Sequence, residues 1–255
     1  MNFTNNTILI TGGGSGIGRA LAEAFHKAGN QVIIAGRRQK VLDEVIAANP
    51  GMKAITLDIE EPGDVRATAA KLGQQFPKLN VLINNAGVMK PENLQAPDEN
   101  LADAAAMITT NLLGPMRLIA ALLPLLKRQP RSTIMNVSSG LAFLPLAMTP
   151  TYCATKAALH SYTESLRWQL RQTNTEVIEL IPPYVQTELM GNEQAADPRA
   201  MPLAEFVAEV MDIIKTQPGV TEVNVEKVKP LRFAAESGKY AAIFKGLNEA
   251  MPAPH

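Results

Sequence analysis

The stretch Thr7-Ile-Leu-Ile-Thr11 followed by Gly12-Gly-Gly-Ser-Gly16-Ile-Gly18 and Arg19-Ala-Leu-Ala-Glu-Ala-Phe-His-Lys-Ala28 decides the fold of this chain. Five apolar or β-branched residues read as a buried strand, and Gly16 to Ala28 repeats its apolar residues at helical spacing. Between them, glycines at 12, 16 and 18 leave out the side chains that would keep a pyrophosphate from the backbone and from the helix N-terminus. The spacing Gly-x-x-x-Gly-x-Gly differs from the Gly-x-Gly-x-x-Gly turn of many dinucleotide folds. With no Gly-Lys-Ser/Thr, it is not a nucleoside triphosphate loop.

Outward from this turn the alternation continues. Gln31–Ala35, ended by Gly36, reads as a strand, Gln39–Ala48 as a helix, Lys53–Leu57 as a strand, Pro62–Phe76 as a helix and Val81–Ile83 as a strand. After a polar stretch, Pro91–Asn100, come helical patterns at Leu101–Thr110 and Leu112–Lys127, a strand at Ile134–Val137, a long helix at Pro150–Gln172 and a strand at Glu176–Leu180. Prolines 182, 183, 198 and 202 loosen the pattern before a helix at Leu203–Lys215 and a last strand at Val223–Val225. The expectation is a single-domain, doubly wound, mostly parallel α/β sheet with helices on both faces, spanning residues 1–255.

Composition narrows the function classes. With 255 residues, 46% hydrophobic, the chain can bury a full core. A net charge of zero gives no electrostatic footprint for nucleic acid, and one cysteine with three histidines makes a multi-ligand metal site improbable. The polar start, Met1 to Asn6, is unlike a secretion signal, and no run approaches about 18 consecutive apolar residues. A cytoplasmic protein without nucleic-acid or membrane partners is the expectation.

The strand ends carry the chemistry. A fold of this kind that selects the unphosphorylated dinucleotide places a carboxylate after the second strand, but here Ala35-Gly36-Arg37-Arg38 follows. Two guanidinium groups favour a 2′-phosphate, hence NADP(H) over NAD(H), although both also suit an exposed helix start. Asp58 is placed to accept from an adenine amino group and Asn84 to brace the strand ends. For these two, and for Thr11, ordinary turn formation is the competing reading.

Tyr152 and Lys156, one turn apart on the long helix, face the same way, so the ammonium can favour a phenolate and bring the phenol toward a useful acid/base range. Ser139 ends the fifth strand, where its hydroxyl can donate to a carbonyl gaining negative charge. Asn111 lies in an apolar helical run, where a buried amide must be bonded; a water in line with Lys156 accounts for it better than packing. The apolar stretch after Ser139, including Leu141, Phe143 and Met148, reads either as core or as the wall of a substrate pocket. Tyr184 and Met190 join it, and residues 188–205 read as a lid.

Thr11-Gly-Gly-Gly14-Ser15-Gly16-Ile17-Gly18, Asp58, Asn84-Asn85-Ala86-Gly87, Asn111, Ser139, Tyr152-x-x-x-Lys156, Pro182 and Thr187, in this order over residues 7–190, resemble the short-chain dehydrogenases/reductases. The resemblance implies a catalytic tetrad of Asn111, Ser139, Tyr152 and Lys156. Tyr152 would protonate a carbonyl oxygen, Ser139 polarise it, Lys156 hold the nicotinamide ribose and Asn111 hold a relay water. It further implies cofactor contacts from Ile59, Asn85, Ala86, Gly87, Pro182, Val185 and Thr187, a small carbonyl or alcohol substrate, and a homodimer or homotetramer assembled through Leu112–Lys127 and Pro150–Gln172.

Two departures stand out. Pro182-Pro183 replaces the family's Pro-Gly, removing an N–H, and Glu222 to Pro230 replaces a glycine pair. Both are similar to a bacterial subgroup labelled D-alanylation-associated oxidoreductases; nothing in the sequence supplies the adenylating or acyl-transferring site that alanine transfer would need. NADP(H)-dependent reduction of an apolar ketone or aldehyde is the expected chemistry. NAD-dependent oxidation of an alcohol or sugar and nucleotide sensing without catalysis remain alternatives.

Overall fold

A computed structural model describes residues 1–96 and 100–251, so positions 97–99 of the polar stretch and 252–255 lie outside the described residues. Seven strands form one parallel sheet in the order β3-β2-β1-β4-β5-β6-β7. They are β1 Thr7–Thr11, β2 Gln31–Gly36, β3 Lys53–Thr56, β4 Val81–Asn84, β5 Ser132–Val137, β6 Thr175–Ile181 and β7 Glu222–Asn224. Because the order reverses between β1 and β4, the connections leaving these strands diverge and open a crevice at their carboxyl ends.

Helices cover both faces: α1 Gly16–Lys27, α2 Gln39–Ala48, α3 Pro62–Gln75, α4 Ala102–Ile108, α5 Gly114–Leu126, α6 Pro150–Leu170, α7 Asn192–Ala196, α8 Leu203–Thr216, α9 Lys229–Arg232 and α10 Tyr240–Ala250. Alternation within β1 shows how the layers divide. Ile8 and Ile10 pack into the cluster that includes Leu21 and Phe25 of α1 and Phe206 and Val210 of α8. Leu9 points the other way, among Val65 and Leu72 of α3 and Leu118 and Leu122 of α5. A strand buried on both faces must be apolar at every position, as Thr7–Thr11 nearly is, and each such side chain contributes about 1.5–3 kcal/mol of burial.

The sequence reading places most elements correctly and shifts several ends by a residue or two. Leu57 falls outside β3, β5 begins at Ser132, and β7 is 222–224 instead of 223–225. A larger correction concerns residues 101–127. The two expected helices join through a π-helical turn, Thr109–Leu113, into one run, Ala102–Leu126. By length and composition this run is apolar enough to cross a membrane, with 44% of its most apolar 18-residue window buried within the fold. The apolar count alone had missed this because polar residues interrupt it. Helix α10 had no counterpart in the sequence reading.

Candidate active site

The crevice divides into two adjoining clefts and an apolar pocket. The first cleft, about 270 Å3, lies over the carboxyl ends of β1, β2 and β3 and is lined by Thr11, Gly12, Gly14, Ser15, Arg37, Arg38, Asp58, Ile59, Ala86 and Gly87. The second, about 410 Å3, continues past Gly16, Ile17 and Asn85 to Ser139, Tyr152, Lys156, Pro182, Val185 and Thr187. The apolar pocket, about 90 Å3, opens beyond Ser139 and Tyr152 and includes Leu141, Tyr184 and Met190.

The glycine turn is built by close approach. Gly12 has φ +66°, a left-handed conformation that glycine adopts without strain. At Gly18 a Cβ would lie 2.3 Å from Asn85 Nδ2 and 2.4 Å from the Gly12 carbonyl oxygen. Gly18 therefore packs α1 against the turn and lines none of the three spaces. Thr11 ties the two central strands together: its hydroxyl accepts from the main-chain N–H groups of Asn85 (3.0 Å) and Ala86 (3.1 Å), while Asn85 Nδ2 donates to the Thr11 carbonyl at 3.0 Å. Asn84 braces β4 against β5 by donating to Asn136 Oδ1 at 2.9 Å.

At the outer end of the first cleft the structure adds a carboxylate that local sequence could not show. Arg37 Nη1 is 3.1 Å from Glu60 Oε1. Glu60 is anchored by a 2.7 Å hydrogen bond from Thr110 Oγ1 and by Arg117 Nη1, which donates to its main-chain oxygen at 2.7 Å. Glu60 comes from the loop after β3, so the absence of an acid after β2 leaves the cleft with one nonetheless. Asp58, beside it, accepts from the Glu60 main-chain N–H at 3.0 Å.

At the inner end, α6 presents Tyr152 and Lys156 toward the sheet, both buried. The Ser139 side chain is the neighbour that acts to lower the Tyr152 phenol. Ser139 Oγ also accepts from the Leu141 N–H at 3.1 Å, so it caps the short 3-10 turn Gly140–Ala142 while facing the cleft. Lys156 Nζ donates to the Val137 carbonyl at 2.8 Å and stands 5.6 Å from the Tyr152 ring centre. Burial pushes the Lys156 amine down to about 8. Burial also drives the Tyr152 phenol well above its ordinary value, and the Ser139 side chain only partly offsets this. The expected lowering of the phenol by Lys156 is not among the influences on it in the protein by itself, where desolvation dominates.

Asn111 sits in the π turn, fully bonded by protein groups. Its Oδ1 accepts from the Val88 N–H at 2.8 Å, and its Nδ2 donates to the Val88 carbonyl (2.9 Å) and to Thr155 Oγ1 (3.2 Å). The side chain pins the loop after β4 to α6, so its burial needs no water to explain it, contrary to expectation. The π turn itself interrupts regular helical pairing beside the site, as such turns frequently do.

Residues 6–198 match the short chain dehydrogenase family. The chain belongs to that family. It is 40% identical over 251 residues to the uncharacterized oxidoreductase DltE of Bacillus subtilis, covering 97% of this chain and 98% of that one. It is 33% identical over 244 residues to sulfoacetaldehyde reductase 2 of Chromohalobacter salexigens, covering 90% and 96%. A solved short chain dehydrogenase from Burkholderia cenocepacia, in complex with NADP, shares the fold at a TM-score of 0.80 with 24% identity, both chains covered in full. One from Streptomyces avermitilis does so at 0.80 with 25% identity, covering 97% of this chain and 98% of that one.

Two expected substrate contacts of this dehydrogenase are not in the pocket. Phe143 lies edge-on to His160, ring centres 4.5 Å apart, with the Arg232 guanidinium 4.4 Å from its ring. Met148 packs behind Tyr152 with Met107, Leu146 and Cys153. The 3-10 turn after Ser139 sends Leu141 one way and Phe143 the other, so a continuous apolar run divides between pocket and core. In their place stand Met89, Leu231, Leu247 and Met251.

The segment past Val185 is tied down by Gln194, which sequence reasoning passed over in a polar string. Gln194 Nε2 donates to the Val185 carbonyl (2.9 Å) and Thr187 Oγ1 (3.1 Å), and its Oε1 accepts from the Met190 N–H at 3.0 Å. A short parallel bridge pairs Val185 with Met201. Helix α10 closes the pocket from outside: Asn248 accepts from the Ala147 N–H at 2.6 Å and donates to the Pro145 carbonyl at 3.3 Å.

Proposed function

We propose that this dehydrogenase reduces a small apolar ketone or aldehyde, with NADP(H) preferred and NAD(H) accepted. The observation that carries the proposal is that Ser139 and Tyr152 border both the second cleft and the apolar pocket, so one substrate atom can meet both hydroxyls where the two spaces join. A nicotinamide dinucleotide fits the glycine turn, where Gly12, Gly14, Ser15 and Gly16 line the two clefts and the N-cap Ser15 leaves the first α1 N–H groups without a side-chain cap. Gly12, Gly14, Ser15, Gly16 and Ile17 would hold its pyrophosphate side, Asp58 and Ile59 its adenine, Arg37 and Arg38 its 2′-phosphate, and Asn85, Ala86, Gly87, Pro182, Val185 and Thr187 its nicotinamide half. When bound, the cofactor supplies the hydride for reduction or accepts it for oxidation.

The chain's own residues then do the following. Ser139 donates to the carbonyl oxygen as negative charge grows there, and Tyr152 Oη delivers the proton that makes the hydroxyl. A phenol held high by burial keeps its proton until that charge appears, which suits a general acid. Lys156 holds the ribose side and places a cation near the phenolate that results. The pocket beyond is apolar, without a cationic side chain among the residues that line it, which favours an uncharged substrate over an anionic aldehyde such as sulfoacetaldehyde. Residues 188–205, held by Gln194, act as the lid. Exposed Ile108, Leu113 and Trp168 support association of like chains through α4–α5 and α6.

The test is Tyr152→Phe. Turnover of an apolar aldehyde with NADPH should fall at least about 10²-fold, as expected for a lost general acid, while NADPH affinity stays within a few fold. Undiminished turnover would end this assignment.

A further inference from the structure

Among the described residues, the buried Asp, Glu, Lys and Arg side chains are two, one of each sign: Lys156 and Glu179. Glu179 is fully enclosed in the middle of β6. A lone buried carboxylate or ammonium is costly, and a chain that keeps one of each at the same place is relieving one cost with the other. Their placement supports this. Glu179 is in register with Asn136, and Val137, whose carbonyl accepts from Lys156 Nζ, is the next residue along β5. One turn after Lys156 on α6, His160 Nδ1 lies 2.8 Å from Glu179 Oε2. Glu179 Oε1 has no hydrogen-bond partner although it is buried. The carboxylate therefore sits between β6 and α6 with one oxygen held by His160 and the other uncommitted.

We propose that Glu179 is the buried counter-ion of Lys156 and a positioning residue for the reaction, with His160 fixing its carboxylate. The proposal rests on the Tyr152 and Lys156 reading above for its catalytic consequence, but not for the pairing. Through-space attraction to Glu179 favours the charged Lys156 against the desolvation that opposes it. The groups facing the pair are few. On α6 they are Tyr152, Lys156, His160 and Glu164; from β6 comes Glu179; from β7 comes Glu222, which is neutralised by Arg232 of α9. Glu179 and Glu164 both favour a protonated His160. As pH rises and His160 loses its proton, the carboxylate loses that screening charge, and its pull on Lys156 strengthens where the ammonium would otherwise begin to neutralise.

The experiment is a comparison of wild type, Glu179→Gln, Lys156→Met and the double variant by two readouts. First, 13C NMR follows the lysine ε-carbons through a pH titration without substrate or cofactor, the Lys156 signal being the one lost in Lys156→Met. Glu179→Gln should move that titration down by about one pH unit, and the alkaline limb of kcat/KM for reduction should move with it. Second, thermal unfolding of the four proteins should show each single variant melting below wild type and the double variant recovering part of the combined loss. Should Glu179→Gln fail to fold, recovery of a folded double variant supports the pairing and its equal failure overturns it. A Lys156 titration unmoved by Glu179→Gln, or strictly additive melting losses, also overturns it. If Tyr152→Phe retains full turnover while the Lys156 titration does shift, the catalytic reading fails and the counter-ion stands.

Discussion

Replacing Glu60 by Gln should sharpen the preference for NADPH. The substitution keeps an oxygen to accept from Thr110 Oγ1 and leaves untouched the main-chain oxygen that Arg117 holds, so the loop after β3 stays anchored. What it removes is the charge paired with Arg37 across 3.1 Å. That pair is half exposed, with side-chain exposures of 58% for Arg37 and 27% for Glu60, so breaking it costs little stability, roughly 0–1 kcal/mol. Its effect on a bound 2′-phosphate is larger. Two anions flanking one guanidinium stand roughly 6 Å apart, and at an effective dielectric between water's and about 20 their repulsion is about 1–2 kcal/mol. NADPH should then bind roughly 5- to 30-fold more tightly to Glu60→Gln. NADH should bind no better, since Glu60 is a carboxylate near Arg37 able to accept from ribose hydroxyls. Isothermal titration calorimetry with both cofactors at low ionic strength, repeated in high salt, measures the ratio. The gain should shrink with salt because the groups are exposed. An unchanged NADPH to NADH ratio at low salt, or an Arg37→Ala variant that weakens both cofactors equally, would refute the electrostatic account and return Arg37 to a purely structural pairing.

Three further outcomes follow from the same geometry. Gly18→Ala must force a methyl against Asn85 Nδ2 and the Gly12 carbonyl, and should lose roughly 1–3 kcal/mol in chemical unfolding; a variant as stable as wild type would show that the turn has slack. Gln194→Ala removes the donor to Val185 and Thr187, and should cost about 1–3 kcal/mol and raise KM more than it lowers kcat; an unaltered KM would remove the lid role from residues 188–205. His160 in the folded chain has its protonated form favoured first by the Glu179 hydrogen bond, so it binds protons more tightly than in the unfolded chain. Its contribution to stability is complete below the ordinary imidazole value of 6.5 and is lost as pH rises through the raised folded value. His160→Gln should flatten that fall in a series of melts across neutral pH, and a slope equal to wild type would place the proton elsewhere.

Much of this was legible in the sequence because the chemistry is local. The glycine turn, the apolar strands and the helical spacing of Tyr152 and Lys156 each depend on residues within a few positions of one another. Glu60 was not legible as an adenosine-side carboxylate, since only the crossing of the β2 and β3 loops brings it to Arg37. Gln194 carries no local signal, because an amide in Gly191-Asn-Glu-Gln-Ala looks like solvent-exposed loop until its partners at Val185 and Thr187 are placed. Helix α10 contains no buried residue, although Tyr240, Ile243, Phe244 and Leu247 recur at helical spacing, and its Leu247 borders the apolar pocket. Phe143 and Leu141, two apart in one apolar run, were inseparable by composition; the 3-10 turn after Ser139 divides them.

The polar interior beneath the site has a common origin in sheet register. Asn84, Asn136, Glu179 and Glu222 occupy paired positions on β4, β5, β6 and β7, forming one polar row across the sheet. Neighbouring positions on either side, such as Ile83, Met135, Ile178 and Val223, are buried hydrophobics, so the row is not a loosening of the core. Side chains in one such row share a face, which is why Asn136 reaches Thr163 and Glu179 reaches His160, both on α6. The helix that carries Tyr152 and Lys156 is thus docked on the sheet by polar bonds at the level of the reacting groups and by Leu166 and Leu170 farther along. An apolar row at the same register would hold α6 at least as firmly, since buried charges rarely stabilise more than well-packed hydrocarbon of equal volume. Stability therefore does not account for Glu179. A buried cation that must remain charged on this helix does.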